Sequence, residues 1–176
     1  REERGGGERV ETIEDAHDRM TALVSDLLTL ARHGETVEDT EPVAVADLAA
    51  DCWATLQTGE ATLVVDTERT VEADPGRLRR LFENLFRNAV EHGGPAVTVT
   101  VGDCEDGFYV ADDGSGLPAD CKRVFEAGYS TAEEGTGFGL SIVRQVAEAH
   151  GWTVSAADTE TGARFAVTGV GTDASN

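Results

Sequence analysis

The sequence predicts an α/β protein. Its core should be a two-layer sandwich, a mixed and mainly antiparallel sheet covered by helices on one face, preceded by one long bundle helix. Three observations carry this. Short segments that alternate apolar and polar residues come in pairs, "ATLVVD" with "RTVEAD", "AVTVTVGDC" with "DGFYVADDG", and "WTVSAAD" with "ARFAVTGV". Short turns between partners favour antiparallel hairpins over crossovers. The segments between the pairs carry one apolar stripe each, as helices lying on one layer do. Ahead of them all, residues 8–33 keep a heptad-like seam with no internal Gly or Pro.

Each element has its own warrant. "REERGGG" at the start is charge followed by a glycine run and reads as a turn. Val10, Ile13, His17, Met20, Val24, Leu27 and Ala31 then recur at alternating steps of three and four, widened by Leu23 and Leu30, and Gly34 is placed to end this helix. "ETVEDTEPVAV" is an acidic stretch with a Pro, which puts the main boundary near residue 36. The domains expected are 1–35, a partial bundle helix; 36–42, a linker; 43–170, the main domain; and 171–176, a tail. Asp47 to Leu56 reads as a short helix, and the first strand pair should turn tightly at Thr67–Arg69. Asp74 before Pro75 suits a helix cap with proline in the first turn. That helix runs to about His92, with Leu78, Leu81, Phe82, Leu85 and Ala89 on its apolar face. Gly114 to Gly137 is a long loop broken by a helical turn near Ala119–Phe125, and "FGLSIVRQVAEAHG" is a helix directly behind a glycine cluster.

The bulk composition excludes some functions. The net charge is −20, from 34 acidic against 14 basic residues, so nucleic acid is not an expected partner. An acidic interaction surface, plain solubility and adaptation to high salt all account for the acids; their spread along the whole chain favours the halophilic account. No apolar run approaches the ~18 residues that span a bilayer. A chain opening on Arg1 reads as a piece of a longer protein, whose membrane anchor, if it has one, would lie upstream. Cys52, Cys104 and Cys121 show no metal-ligand spacing and fit buried or half-buried thiols in a reducing cytoplasm.

Three segments carry chemistry. The glycines of "GTGFGLSIV" (135–143) lead into a helix, where free backbone N–H groups and the positive helix end bind phosphate. The spacing fits neither a dinucleotide fingerprint nor a P-loop; an ordinary loop before a helix is the alternative. Asp112 closes an apolar strand in "DDGSG" (112–116). Its carboxylate can accept from an exocyclic amine such as adenine's, with Gly114 and Gly116 letting a flat ring approach; an Asx turn is the alternative. Asn84 and Asn88 in "ENLFRNAVEH" (83–92) share one helix face. Phosphate oxygens and a magnesium ion would satisfy their amides; exposed surface amides are the alternative.

Together these segments resemble the ATP-binding domain of sensor histidine kinases, in the superfamily shared with DNA gyrase, heat-shock chaperone and mismatch-repair ATPases. "ENLFRNAVEH" is similar to the asparagine box, "VADDGSGLP" to the first glycine box, "VFEAGYST" to the phenylalanine box through Phe125 and Tyr129, and "GTGFGLSIV" to the second glycine box. The likeness implies ATP and Mg2+ as cofactors. Asn88 would hold the magnesium with Asn84 beside it, and Asp112 would bind adenine, with Gly114, Gly116 and Leu117 shaping the pocket. Tyr129, Ser130 and Thr131 would join the ATP site. Gly135, Thr136, Gly137, Phe138, Gly139 and Leu140 would close over the triphosphate, and residues 117–134 would form a short lid. Many members carry a Lys or Arg three residues after the magnesium asparagine; here it is Glu91, which leaves Arg87 or His92 as substitutes. The water-activating Glu of hydrolytic members is replaced by Asn84, with Glu83 about 100° round the helix. The catalytic residues implied are therefore Asn84 and Glu83, and transfer to a protein side chain is expected rather than hydrolysis.

Residues 8–33 resemble the second helix of the dimerisation and phosphotransfer bundle. His17 begins "HDRMTAL", but the proline of an acceptor motif is missing and the residue lies on the seam. It reads as a structural histidine, with the phosphoacceptor on an absent first helix. His33 and His150 read as helix-end residues. The resemblance implies a cytoplasmic two-component histidine kinase, homodimeric through the bundle, passing phosphate to a response-regulator receiver domain. An anti-sigma-type serine kinase and a degenerate nucleotide-binding scaffold are the alternatives.

Overall fold

The computed structural model describes residues 4–31, 35–56, 58–117, 123–126 and 139–171. The chain divides into two compact units, Arg1–His33 and Gly34–Asn176. The first unit is helix α1 (Arg4–Ala31). It starts earlier than the sequence suggests, because the glycine run at 5–7 continues the helix instead of turning. Each glycine weakens a helix by about 1 kcal/mol but, unlike proline, keeps its N–H, so the ladder continues through it. Val10, Ile13, Met20, Val24 and Leu27 of the predicted seam are exposed, Ile13 at 67% and Met20 at 66%. His17 is exposed too, and its carbonyl accepts from Thr21 Oγ1 at 2.9 Å. Gly34, the expected stop, lies outside the described residues.

The second unit runs β1 (Glu41–Ala44), α2 (Val45–Ala54), β2 (Thr62–Asp66), β3 (Thr70–Ala73), α3 (Pro75–Gly93), β4 (Thr98–Cys104), β5 (Gly107–Asp112), α4 (Gly139–Ala149), β6 (Thr153–Asp158) and β7 (Ala163–Thr168). Five strands form a mixed sheet in the order β2-β4-β5-β7-β6; only β2 with β4 is parallel. The hairpins β4–β5 and β6–β7 are those the sequence predicts, and the sheet-and-helix class is as expected.

The first strand pair is not a hairpin. β2 pairs with β4 (Leu63 opposite Val99), whereas β3 pairs with β1 (Val71 opposite Val43) in a separate two-stranded ribbon. The connection 67–69 shows why. Thr67 Oγ1 donates to the Asp103 carboxylate, Arg69 reaches Asp103 at 3.5 Å and the Cys104 carbonyl at 3.3 Å, and the Arg69 carbonyl accepts from Val45 N at 3.0 Å. These bonds tie the turn to the end of β4 and lead the chain out of the sheet. β1 itself lies partly in the predicted linker, and α2 begins two residues before Asp47.

α3 is built as its sequence dictates. The Asp74 carboxylate caps it, accepting from Gly76 N (2.9 Å) and Arg77 N (3.2 Å), with Pro75 as first helical residue. Its apolar stripe, Leu78, Leu81, Phe82, Leu85, Phe86 and Ala89, is buried under the sheet. The facing strand residues are Val99, Val101, Phe108, Val110, Phe165 and Val167, which alternate with more exposed neighbours. An aromatic chain crosses this core: Trp53 sits edge-on to Phe86 at 5.4 Å, Phe86 contacts Phe82 at 5.6 Å, Phe82 contacts Phe108 at 5.4 Å, and Phe108 sits edge-on to Trp152 at 6.5 Å. α4 and α2 both pack against α3. No helix among the described residues is long and apolar enough to cross a membrane.

Candidate nucleotide site

α3 presents Asn84 and Asn88 one turn apart, on a helix that the core holds rigidly. Asn84 is 6% exposed; its Nδ2 donates to the Arg80 carbonyl at 2.8 Å. Its Oδ1 faces the start of α4, so that a Cβ on Gly139 would lie only 3.3 Å from it. The segments that resemble the asparagine box and the second glycine box thus meet in space at Asn84 and Gly139. Asn88 is half-buried, and no hydrogen bond holds its carboxamide among the described residues. A neutral carboxamide oxygen is a fitting donor for a hard cation that takes most of its ligands from phosphate and water. Arg87 and His92 lie on the same helix, both half-buried. Glu83 also sits on α3, close enough to Cys52 of α2 for its charge to act on that thiol. Burial pushes Cys52 up to about 11, Arg79 opposes the rise, and Glu83 and Asp51 add to it. Cys52 is accordingly an inert structural thiol.

The second half of the site is the loop after β5. Asp112 Oδ1 accepts from Gly114 N at 2.9 Å, which is the Asx turn that the sequence left as an alternative. The turn uses one carboxylate oxygen and keeps the side chain half-buried at the strand end. Asp113 Oδ1 accepts from Thr98 N at 2.7 Å, and Ser115 Oγ donates to the His92 carbonyl at 3.1 Å, so the loop is bonded to β4 and to the end of α3. A Cβ on Gly114 would collide with the Cα of Gly93, so two glycines make the α3–loop contact possible. Gly116 has φ +82°, a conformation natural only to glycine.

Residues 73–171 match the family described as "Histidine kinase-, DNA gyrase B-, and HSP90-like ATPase". The chain belongs to this ATPase family. The sensor histidine kinase ZraS of Klebsiella oxytoca is 32% identical over 155 residues, covering 79% of the chain and 32% of ZraS. The chain therefore spans about a third of the length of that curated relative. Among solved structures, the ATP-binding domain of PrrB from Mycobacterium tuberculosis superposes with a TM-score of 0.56 at 30% identity, covering 74% of the chain and 96% of that domain. Full-length ShkA in complex with AMPPNP gives 0.71 at 30% identity, covering 94% of the chain and 39% of ShkA. These relatives lend no support to a halophilic origin.

Within this ATPase fold, Asn84, Gly139, Asp112 and Gly114 stand on elements that touch. Tyr129, Ser130, Thr131, Gly135, Thr136, Gly137 and Phe138 lie outside the described residues, whereas Leu140 is in the first turn of α4. Phe125 of the phenylalanine box sits edge-on to Phe165 of β7 at 6.2 Å. Sequence reasoning missed Asp158, at the end of β6. Its Oδ1 accepts from Leu117 N at 3.1 Å, across 41 positions of sequence. It also gave His150 too small a part. Nδ1 of that ring donates to the Val146 carbonyl at 2.8 Å, Nε2 accepts from Asp74 N at 3.0 Å, and the ring stacks on Trp152 at 4.2 Å.

Proposed function

We propose that the chain is the C-terminal part of a two-component sensor histidine kinase. It binds Mg-ATP and transfers the γ-phosphoryl group to a histidine on a bundle helix outside this chain, for relay to a response-regulator aspartate. The observation that carries this is the approach of Asn84 to Gly139, which joins the metal-and-phosphate face of α3 to the helix start where the triphosphate would lie. Asn88 would hold magnesium, with Asn84 beside it, and the ion would supply neutralisation of phosphate charge. Asp112 would accept from the adenine amine through the oxygen that its Asx turn leaves over. α3 and α4 supply position and dipole, and most of the catalysis is then placement. With an amide at 84 where hydrolytic members carry a carboxylate, that position cannot act as a base on water, so ATP turnover without acceptor should be slow. The exposed seam of α1 would close a homodimeric bundle, and a kinase of this kind would work in the cytoplasm, with any membrane anchor upstream.

Fluorescent ATP with magnesium tests the binding step. The chain is expected to bind, and Asn88→Ala or Asp112→Ala to weaken binding by at least about tenfold, since each removes an interaction to a charged or ring-bound group. Radiolabelled ATP with an acceptor-helix peptide tests transfer. Acid-labile label on the peptide supports the histidine kinase, and acid-stable label would point to a serine kinase. Failure of the chain to bind nucleotide at all would leave only a scaffold, the reading that Glu91 favours.

A further inference from the structure

We infer that Asp158 is a positioning residue for the adenine end of the nucleotide site. The inference rests on the proposed role of Asp112 and goes beyond it, because Asp158 belongs to none of the segments that the family likeness singles out. The loop of residues 113–117 must hold one shape to keep the Asp112 carboxylate and its neighbouring backbone against a flat ring. Two features of the β6–β7 hairpin set that shape. Asp158 Oδ1 accepts from Leu117 N at 3.1 Å, and a Cβ on Gly116 would collide with the same oxygen. The hairpin turn backs the other end of the loop: a Cβ on Gly162 would collide with the Asp112 carbonyl. That turn is itself closed by Thr159, whose N donates to the Gly162 carbonyl at 2.7 Å and whose Oγ1 accepts from Gly162 N at 3.0 Å.

The hairpin is thus a template against which the loop is cast. Asp158 fixes its exit and the 159–162 turn fixes its entry. Loss of the Asp158 bond would free Gly116 and Leu117, the residues next to the ring, and leave α3 with its asparagines untouched. The effect should therefore fall on adenine recognition and spare binding of the phosphates.

The test uses the whole chain with magnesium, a fluorescent ATP analogue, and unlabelled ATP and tripolyphosphate as competitors. Asp158→Ala is expected to weaken ATP by about two- to tenfold, the worth of one lost hydrogen bond, with tripolyphosphate affinity unchanged. Asp158→Asn keeps an accepting oxygen and should bind ATP like the unsubstituted chain. Asp158→Ser, too short to reach Leu117 N, should behave as Asp158→Ala and stands in for it if the alanine variant does not fold. The inference is overturned if the alanine or serine variant binds ATP like the unsubstituted chain, if ATP and tripolyphosphate weaken together, or if Asp158→Asn fails to rescue. Asp112→Ala separates the two claims. If it loses ATP while Asp158→Ala does not, the inference fails and the nucleotide site stands. If Asp112→Ala binds ATP normally, the adenine reading fails, and this inference fails with it.

Discussion

At the scale of single residues, His150 shows how one ring can be committed to a protonation state. The Asp74 N–H can only donate, so Nε2 must offer its lone pair, and the proton stays on Nδ1 facing the Val146 carbonyl. Burial is the main reason its pKa lies below 6.5; the Val146 carbonyl and the Asp74 carboxylate pull it up, and Arg77 pushes it further down. The sign follows. A histidine with a lower pKa folded than unfolded takes up its proton more readily when unfolded, so its contribution to stability is present above about 6.5 and fades as pH falls towards the lower folded value. Urea unfolding between pH 7.5 and 5 should show stability dropping on the acid side, and His150→Gln should flatten part of that slope. An unchanged slope in the variant would mean that other groups set it. None of this was legible in the sequence, because Asp74 and His150 are 76 positions apart and a helix-end histidine gives no hint of its partner. Asp158 was hidden in the same way: an acid at the end of a strand is ordinary until the amide opposite it is known. What could be read for Asp112 and the two asparagines was their placement, at a strand end and on one helix face, because their neighbours in sequence, glycines and a helical repeat, set the local structure.

At the scale of elements, α3 was the most readable. Its cap, its proline and its stripe all lie within the helix, so local rules suffice. The hairpins β4–β5 and β6–β7 were readable for the same reason, as each strand's partner is next in the chain. β2 and β3 were not. Alternation shows that a segment is a strand but not which strand it pairs with, and β2 found β4 across a helix. β1 is four residues with a proline, too short for a pattern. The aromatic chain through Phe82 is where α3 is held to the sheet. Phe82→Ala should cost about 3–5 kcal/mol, as large-to-small changes in cores do. Denaturant titration checks this. A loss under about 1 kcal/mol would mean that the core refills the space, as happens only where neighbours can collapse into a cavity.

At the scale of the whole molecule, the −20 charge is the dominant physical fact. Few cations oppose it, and the ion pairs that involve Arg77, Arg123 and Arg144 are largely at the surface, where each contributes little. Self-repulsion should therefore lower stability at low ionic strength. Adding sodium chloride from about 0.02 to 0.5 M shortens the screening length severalfold, and the melting temperature is expected to rise over that range. A flat or falling curve would show that attractive pairs outweigh the net repulsion. The same charge bears on the nucleotide. If the chain binds ATP as proposed, the nucleotide approaches a negative protein, so local amide and dipole donors must overcome a repulsive far field, and association should quicken with salt.

Three carboxylates in and around the loop after β5 are committed to backbone amides. Asp112, Asp113 and Asp158 each accept from a backbone amide, at Gly114, Thr98 and Leu117. The loop is thus moulded before any ligand arrives. Binding at that end should carry little ordering entropy, and the preorganised surface can put its contacts into affinity instead of into its own folding. In deuterated water, amides 114 and 117 should exchange slowly for residues outside any helix or strand, even in the nucleotide-free chain.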